Sequence, residues 1–343
     1  MKWTEPIMID KQKWLNKIKE NRNESMPILT FPGIQALGIT VNDLVNSATL
    51  QAQVMAHIAK TYPMSAALSM MDLSVEAEEF GAKIRFFPME VPTVIGAVIN
   101  SPMDAMTLMV PQLGNKRTKT YVEGVRLAKT LIKDKPVFAG VIGPFSLAGR
   151  LMDMTEIMVN SIMDPDMVHV TLEKATAFIQ RYILAFKTAG ADGIILAEPA
   201  AGLLSPEICE KFSSYYIRKI KAAVSDSDFL FIYHNCGNVV PLKDTILSID
   251  ADVYHFGDHI DLEDMLKIFP KDKLIMGNIS PAMLLKKQDP EQIKIQVRAL
   301  LERLSPYDNF IISSGCDIPP ATPLENLDAY FEAIDEFYSN NRK

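Results

Sequence analysis

Phe229-Leu-Phe-Ile-Tyr-His-Asn-Cys-Gly237 is a run of apolar and aromatic residues that closes on a polar turn. Its length and composition read as a buried strand. At its end stand His234 and Cys236, two metal-binding side chains separated by one residue. Residues i and i+2 of a strand face the same side, so both donors can point at one centre. A third donor follows much later in Phe310-Ile-Ile-Ser-Ser-Gly-Cys316, again an apolar strand followed by a glycine and a thiol. His, Cys and Cys form a zinc set. Three protein ligands leave the fourth position open, which is the catalytic rather than the structural pattern.

Working outward, short apolar runs recur at 27–31, 65–71, 136–142, 193–197, 229–234, 252–256, 273–277 and 309–314. Amphipathic helices fit between them: Val45, Ala48, Ala52, Met55 and Ala59 share one helical face, as do Leu172, Ala175, Ile179, Tyr182, Ile183 and Phe186. Asp164-Pro165, Ser205-Pro206, Ser280-Pro281, Asp289-Pro290 and Thr322-Pro323 each pair an N-cap residue with Pro at the first helical position, and Thr322 with Glu325 reads as a capping box. Strands alternating with helices in this way predict a single (β/α)8 TIM barrel over 27–343, preceded by an N-terminal arm over 1–26. Periodicity alone leaves an open doubly wound sheet as the alternative.

One long departure separates the second and third strands. Residues 72–135 hold a helix-like 75–80, a strand-like 82–87 and a loop rich in Met and Pro over 88–117. An insertion of this size forms a lid or docking surface, or packs as an ordinary excursion.

Composition narrows the function. The chain has 343 residues and a formal charge of −7, which argues against nucleic acid as a partner. No apolar run approaches the roughly 20 residues needed to span a bilayer, and the first residues lack the form of a signal peptide. Three cysteines do not make a disulfide framework, and two of them end strands, so a reducing cytoplasm is expected. Monomer and homodimer both fit.

In barrels of this kind, function gathers at the C-terminal ends of the strands. Asp72, Gly143-Pro144, Glu198, His234 with Cys236, Asp258, Asn278 and Cys316 fall there. So many polar groups would be costly if buried without partners, and an open polar cavity is the simpler account. Glu198 and Asp258 are the acidic candidates for a fourth metal ligand. Cys209, inside a helix over 206–224, reads as a core thiol. His255 and His259 read as structural or as outer partners of the metal site.

At these residues a family resemblance emerges. Tyr233-His-Asn-Cys-Gly-Asn238, together with Ser314-Gly-Cys-Asp-Ile-Pro-Pro-Ala-Thr-Pro-Leu-Glu-Asn326, resembles the uroporphyrinogen-decarboxylase-like superfamily. Within it the pattern is most similar to the zinc-dependent methylcobamide:coenzyme M methyltransferases. The acidic segment Met71-Asp-Leu-Ser-Val-Glu-Ala-Glu-Glu-Phe-Gly81 looks like the family's segment after the second strand.

The resemblance implies Zn2+ on His234, Cys236 and Cys316, with Glu198 or Asp258 completing the resting site. A zinc-bound thiolate would take the methyl group of a methylcobamide, cobalt leaving as Co(I). Asp72, Glu76 and Asn235 would orient the acceptor. It further implies a corrinoid carrier protein as partner, because the chain lacks the Asp-x-His-x-x-Gly signature of corrinoid binding, with the loop over 88–113 as docking surface. The resemblance leaves the acceptor open among coenzyme M, homocysteine, another thiol and tetrahydrofolate. It also carries two rivals, a non-catalytic zinc- or corrinoid-sensing barrel and a uroporphyrinogen decarboxylase. Against the decarboxylase, the segment after the first strand, Phe31-Pro-Gly-Ile-Gln-Ala-Leu-Gly38, carries no Arg to meet a polycarboxylate.

Overall fold

The computed structural model describes residues 10–340. Seven parallel strands form one sheet in the order β1 (Ala67–Leu68), β4 (Val137–Ile142), β5 (Gly193–Ala197), β6 (Leu230–Asn235), β7 (Val253–Phe256), β8 (Leu274–Ile279) and β9 (Phe310–Ser314). The long strands are buried at nearly every position, as parallel strands covered on both faces must be. Helices surround the sheet, giving the α/β barrel expected.

The run at 27–31 forms no ladder. Its backbone nevertheless bridges the last strand and the first. Met26 N–H donates to Ile312 O at 3.3 Å, Ser65 N–H to Ser25 O at 3.0 Å, and the Thr30 hydroxyl to Leu68 O at 2.7 Å. Ile28 N–H donates instead to the Ser314 hydroxyl at 2.9 Å. Pro27 removes one ladder donor, and Phe31–Gly33 turns at once into a 3-10 helix. The barrel is therefore closed by an irregular segment.

The insertion contains a helix Val75–Glu79, an antiparallel hairpin of β2 (Lys83–Arg85) and β3 (Thr93–Ile95), and a helix Pro102–Thr107. It returns through the helix Thr118–Leu131, which packs on Ala48–Thr61. Acidic side chains pin it. Asp72 and Glu78 hold Arg117, and Glu79 accepts from Gly114 N at 3.2 Å, Lys116 N at 2.9 Å and the Thr118 hydroxyl.

Most of the expected helix starts are made: Asp164, Ser205, Ser280 and Asp289 each accept a backbone N–H three residues on. Ser280 opens a single π turn, Pro281–Leu285, rather than an α-helix. The expected capping box at Thr322 is not formed, its hydroxyl being buried without a partner among the described residues.

From the arm, the helix Lys11–Glu20 buries Trp14, whose indole donates to Ser65 O at 3.0 Å and stands edge-on to Phe138. It therefore lies beside the strand starts, away from the strand ends discussed below. The first nine residues of the arm lie outside the described residues. Among the described residues no helix is long and apolar enough to cross a membrane.

Candidate metal centre

β6 ends in His234 and Asn235, and Cys236 follows at the turn. Cys316 stands two residues past the end of β9. The sheet brings these distant stretches together: the ligand atoms of His234, Cys236 and Cys316 all lie within 4.8 Å of one another. His234 Nε2 is 3.7 Å from Cys316 Sγ. A tetrahedral zinc with ordinary bond lengths separates its N and S ligands by about 3.6 Å, so the donor set fits that ion. His234 is buried, and both cysteines are half-buried. Close packing sets the turns: a Cβ on Gly257 would come within 2.5 Å of Cys236 Cα, so only glycine lets β7 end against the Cys236 turn.

The tautomer of His234 follows from its neighbours. The Met26 carbonyl can only accept, so the Ser313 hydroxyl, 2.6 Å away, donates to it. His255 Nε2, 2.7 Å from that hydroxyl, must then be a donor. His255 Nδ1 is left as acceptor, and His234 Nδ1, at 2.8 Å, donates to it. The lone pair of His234 is thereby placed on Nε2, toward the thiols. Burial and then the neighbouring His234 keep the pKa of His255 well below its ordinary value, as a neutral relay needs. The two thiols divide their protons unequally: hydrogen bonding from Cys316 pulls the pKa of Cys236 far down, while Cys236 and burial push that of Cys316 up.

The other expected residues lie around this cluster, not in it. Glu198 is fully buried and accepts from Phe145 N at 3.0 Å and Ser146 N at 2.6 Å, so it caps the helix Pro144–Met152. Burial raises its pKa to about 7. Asn235 spends its amide on Glu198 O at 2.7 Å and Tyr233 Oη at 3.1 Å, and its Oδ1 accepts from Gly237 N at 2.8 Å. It shapes the turn that presents Cys236.

Asp72, 4% exposed, is occupied by Arg117, the Tyr121 hydroxyl at 2.8 Å and Ser74. Glu76 accepts from Ile142 N at 2.9 Å, and burial raises its pKa to about 7. Asp258 is exposed and does not belong to the donor cluster. The turn at Gly257 carries it toward a cavity of about 800 Å³ that it shares with Asn278, Gln292 and Arg303. His259 is likewise exposed. Cys209 is buried, in contact with Ser214 and Thr245.

Two residues escaped sequence reasoning. Asp317 directly follows Cys316 and carries a buried oxygen with no hydrogen-bond partner among the described residues. Arg150 is the sole charge in the apolar helix Pro144–Met152. That isolation was the one signal available.

Residues 29–337 match the family described as Uroporphyrinogen decarboxylase (URO-D). The chain is 28% identical over 276 residues to a methylcobamide:CoM methyltransferase, MtaA, of Methanosarcina barkeri, covering 78% of each sequence. It is 25% identical over 314 residues to a uroporphyrinogen decarboxylase of Coxiella burnetii, covering 88% of this chain and 83% of that one. A solved methyltransferase from Methanosarcina mazei superposes with a TM-score of 0.84 at 24% identity, over 96% of this chain and 98% of that one. That likeness establishes the fold.

Proposed function

The chain belongs to the uroporphyrinogen decarboxylase (URO-D) family, and on that premise we propose that it is a methyltransferase, moving a methyl group from a methylated corrinoid to a small thiol such as coenzyme M. The observation that carries this reading is the convergence of His234, Cys236 and Cys316 within 4.8 Å, with His234 oriented by His255 and Ser313.

These three residues would hold zinc. The chemistry gained from the bound ion is an open position at which an incoming thiol stays ionised at neutral pH. The rest is the protein's own contribution. His255 keeps the Nε2 lone pair of His234 aimed at the donor cluster. Asn235 and Gly257 fix the turn that carries Cys236. Two anionic sulfur donors leave such a centre electron-rich, which suits alkyl transfer to sulfur better than activation of water.

The methyl donor would arrive on a corrinoid carrier protein. The insertion offers a surface for it: Met103, Met106 and Met109 are 64%, 66% and 80% exposed, and flexible Met side chains suit adaptable interfaces. A decarboxylase is the second reading, since a decarboxylase is among the similar proteins. The absence of Arg over 31–38 and the thiol-rich donor set both count against it.

The test is elemental analysis of anaerobically purified protein beside Cys316→Ala. About one zinc per chain, lost in the variant, is expected. Methylcobalamin demethylation is then followed through the cobalt spectrum with coenzyme M, homocysteine and tetrahydrofolate as acceptors. Well-folded protein that holds no zinc overturns the thiol mechanism. Zinc without turnover on any acceptor points to a sensing barrel.

A further inference from the structure

Where β7 and β8 end, a cavity of about 800 Å³ opens, walled in part by Asp258, Asn278, Met283, Gln288, Gln292 and Gln296. Backbone contacts hold it beside the donor cluster. Gly315, which directly precedes Cys316, donates its N–H at 2.6 Å to the carbonyl of Ile279 on the cavity wall. A Cβ on Gly315 would stand 2.9 Å from Asp258 Oδ1, so the Asp258 wall touches the Cys316 turn. Asp258 in turn follows Gly257, which packs against Cys236 Cα with no room for a Cβ. The cavity therefore borders both thiol turns.

Its lining is rich in amides. Four side-chain carboxamides face it, including three of the nine glutamines of the chain. Gln292 and Gln296 stand one turn apart on the helix Pro290–Leu304, and Gln288 lies just before that helix. None of the three glutamine side chains has a partner among the described residues. Asn278 spends its Nδ2 on Gly257 O at 3.1 Å and Ile260 O at 2.9 Å, which leaves its Oδ1 to accept. Apolar atoms of Met283, Leu284 and Leu300 lie among these amides. The one cation on the wall, Arg303, is held by Asp261 at 2.7 Å. Asp258 is exposed and makes no ion pair among the described residues.

This chemistry discriminates between ligands. A primary carboxamide meets a glutamine amide through two N–H···O bonds, one in each direction. A carboxylate offers no donor to those amides, finds no free cation here, and is repelled by Asp258. The rim of a corrin ring carries primary carboxamides among methyl groups, whereas uroporphyrinogen carries carboxylates. We infer that the cavity receives the carboxamide rim of the methylcorrinoid, its amides pairing with Gln292 and Gln296 and its methyl groups meeting Met283 and Leu300. This rests on the proposed methyl transfer from a corrinoid and adds a rule of selection, amide over carboxylate, among macrocycles.

The experiment is equilibrium dialysis of the purified protein, read by visible absorbance, against two coordinatively saturated probes. Dicyanocobinamide has the amide rim and no nucleotide; dicyanocobyrinic acid is the same ring with carboxylates on its rim. The amide form is expected to bind about tenfold or more tighter, the sum of a few net hydrogen bonds. Gln292→Leu and Gln296→Leu should each weaken it about fivefold, the worth of one such bond, and leave the acid form where it was. Gln292→Lys should narrow the gap by drawing in the acid form. Gln292→Asn withdraws the amide by one methylene and serves as a milder second variant, with circular dichroism and zinc content checked in each.

In the methylcobalamin assay the leucine variants should raise the KM of the corrinoid without moving that of the thiol. Equal affinity for the two probes, no binding of either, or leucine variants that bind the amide form as wild type does overturns the inference; turnover of methylcobalamin then decides the proposed function separately. Selective binding that depends on the glutamines, with no thiol demethylating methylcobalamin, upholds the inference and overturns the proposed function.

Discussion

Without the His255 imidazole, the Nδ1–H of His234 would lose an acceptor 2.8 Å away and keep only the more distant His255 backbone carbonyl at 3.3 Å, which holds the ring and its tautomer less firmly. The partner that holds the far nitrogen of a metal-binding imidazole typically controls affinity by 10- to 100-fold. His255→Ala and Ser313→Ala should each weaken zinc binding by about that factor, as measured by chelator competition, with the circular dichroism spectrum unchanged. Wild-type affinity in both would show the relay to be idle. Both residues sit within strands, where His255 pairs with His234 across the β6–β7 ladder and Ser313 lies opposite Asn278. Strand register alone thus places a donor set and its support side by side.

At the scale of elements, acidic side chains do the tying. Glu76 in the helix Val75–Glu79 reaches Ile142 N at the end of β4, and Glu198 caps Pro144–Met152. Burial raises the pKa of both to about 7. The folded state therefore keeps a proton that the unfolded chain gives up near its ordinary value of 4.5. Their stabilising contribution is complete below that pH, falls as pH rises toward about 7, and is flat beyond. Glu76→Gln has no proton to lose. Between pH 5 and pH 8 it should gain on wild type by on the order of 2 kcal/mol, read from urea unfolding of metal-free protein. Parallel curves across that range would refute the buried-proton account.

For the whole molecule, the insertion between β1 and β4 matters most. Arg117 and Thr118 anchor it on the acidic segment after β1, while Met103, Met106 and Met109 face solvent. If this is where a corrinoid carrier docks, replacing the three by Gln should raise the KM for carrier-bound methylcorrinoid about tenfold or more, since a few central apolar contacts carry most binding energy. Free methylcobalamin turnover should not change. Equal losses with both donors would show that the methionines support the fold.

The sequence by itself determined the strand rhythm and the barrel class, and it singled out the three candidate sulfur and nitrogen donors that the fold brings together. Each of these is written in local pattern: apolar runs of strand length, Pro after N-cap residues, and His-x-Cys on one strand face. It misjudged the first strand, because Pro27 and the turn at Phe31–Gly33 break the ladder while the apolar content survives. It missed the capping failure at Thr322, which depends on packing around a buried hydroxyl. It assigned chemistry to Asp72, Glu198 and Asn235, whose partners are Arg117, Ser146 and Gly237. Of these, Arg117 and Ser146 come from other elements. Only the tertiary structure decided that, and only it set Asp258 on one cavity with Gln292 and Gln296. The physical reason is that a side chain's role depends on whether its charge or hydrogen bond is already satisfied, and the partners that satisfy it are brought in by the fold from distant parts of the chain.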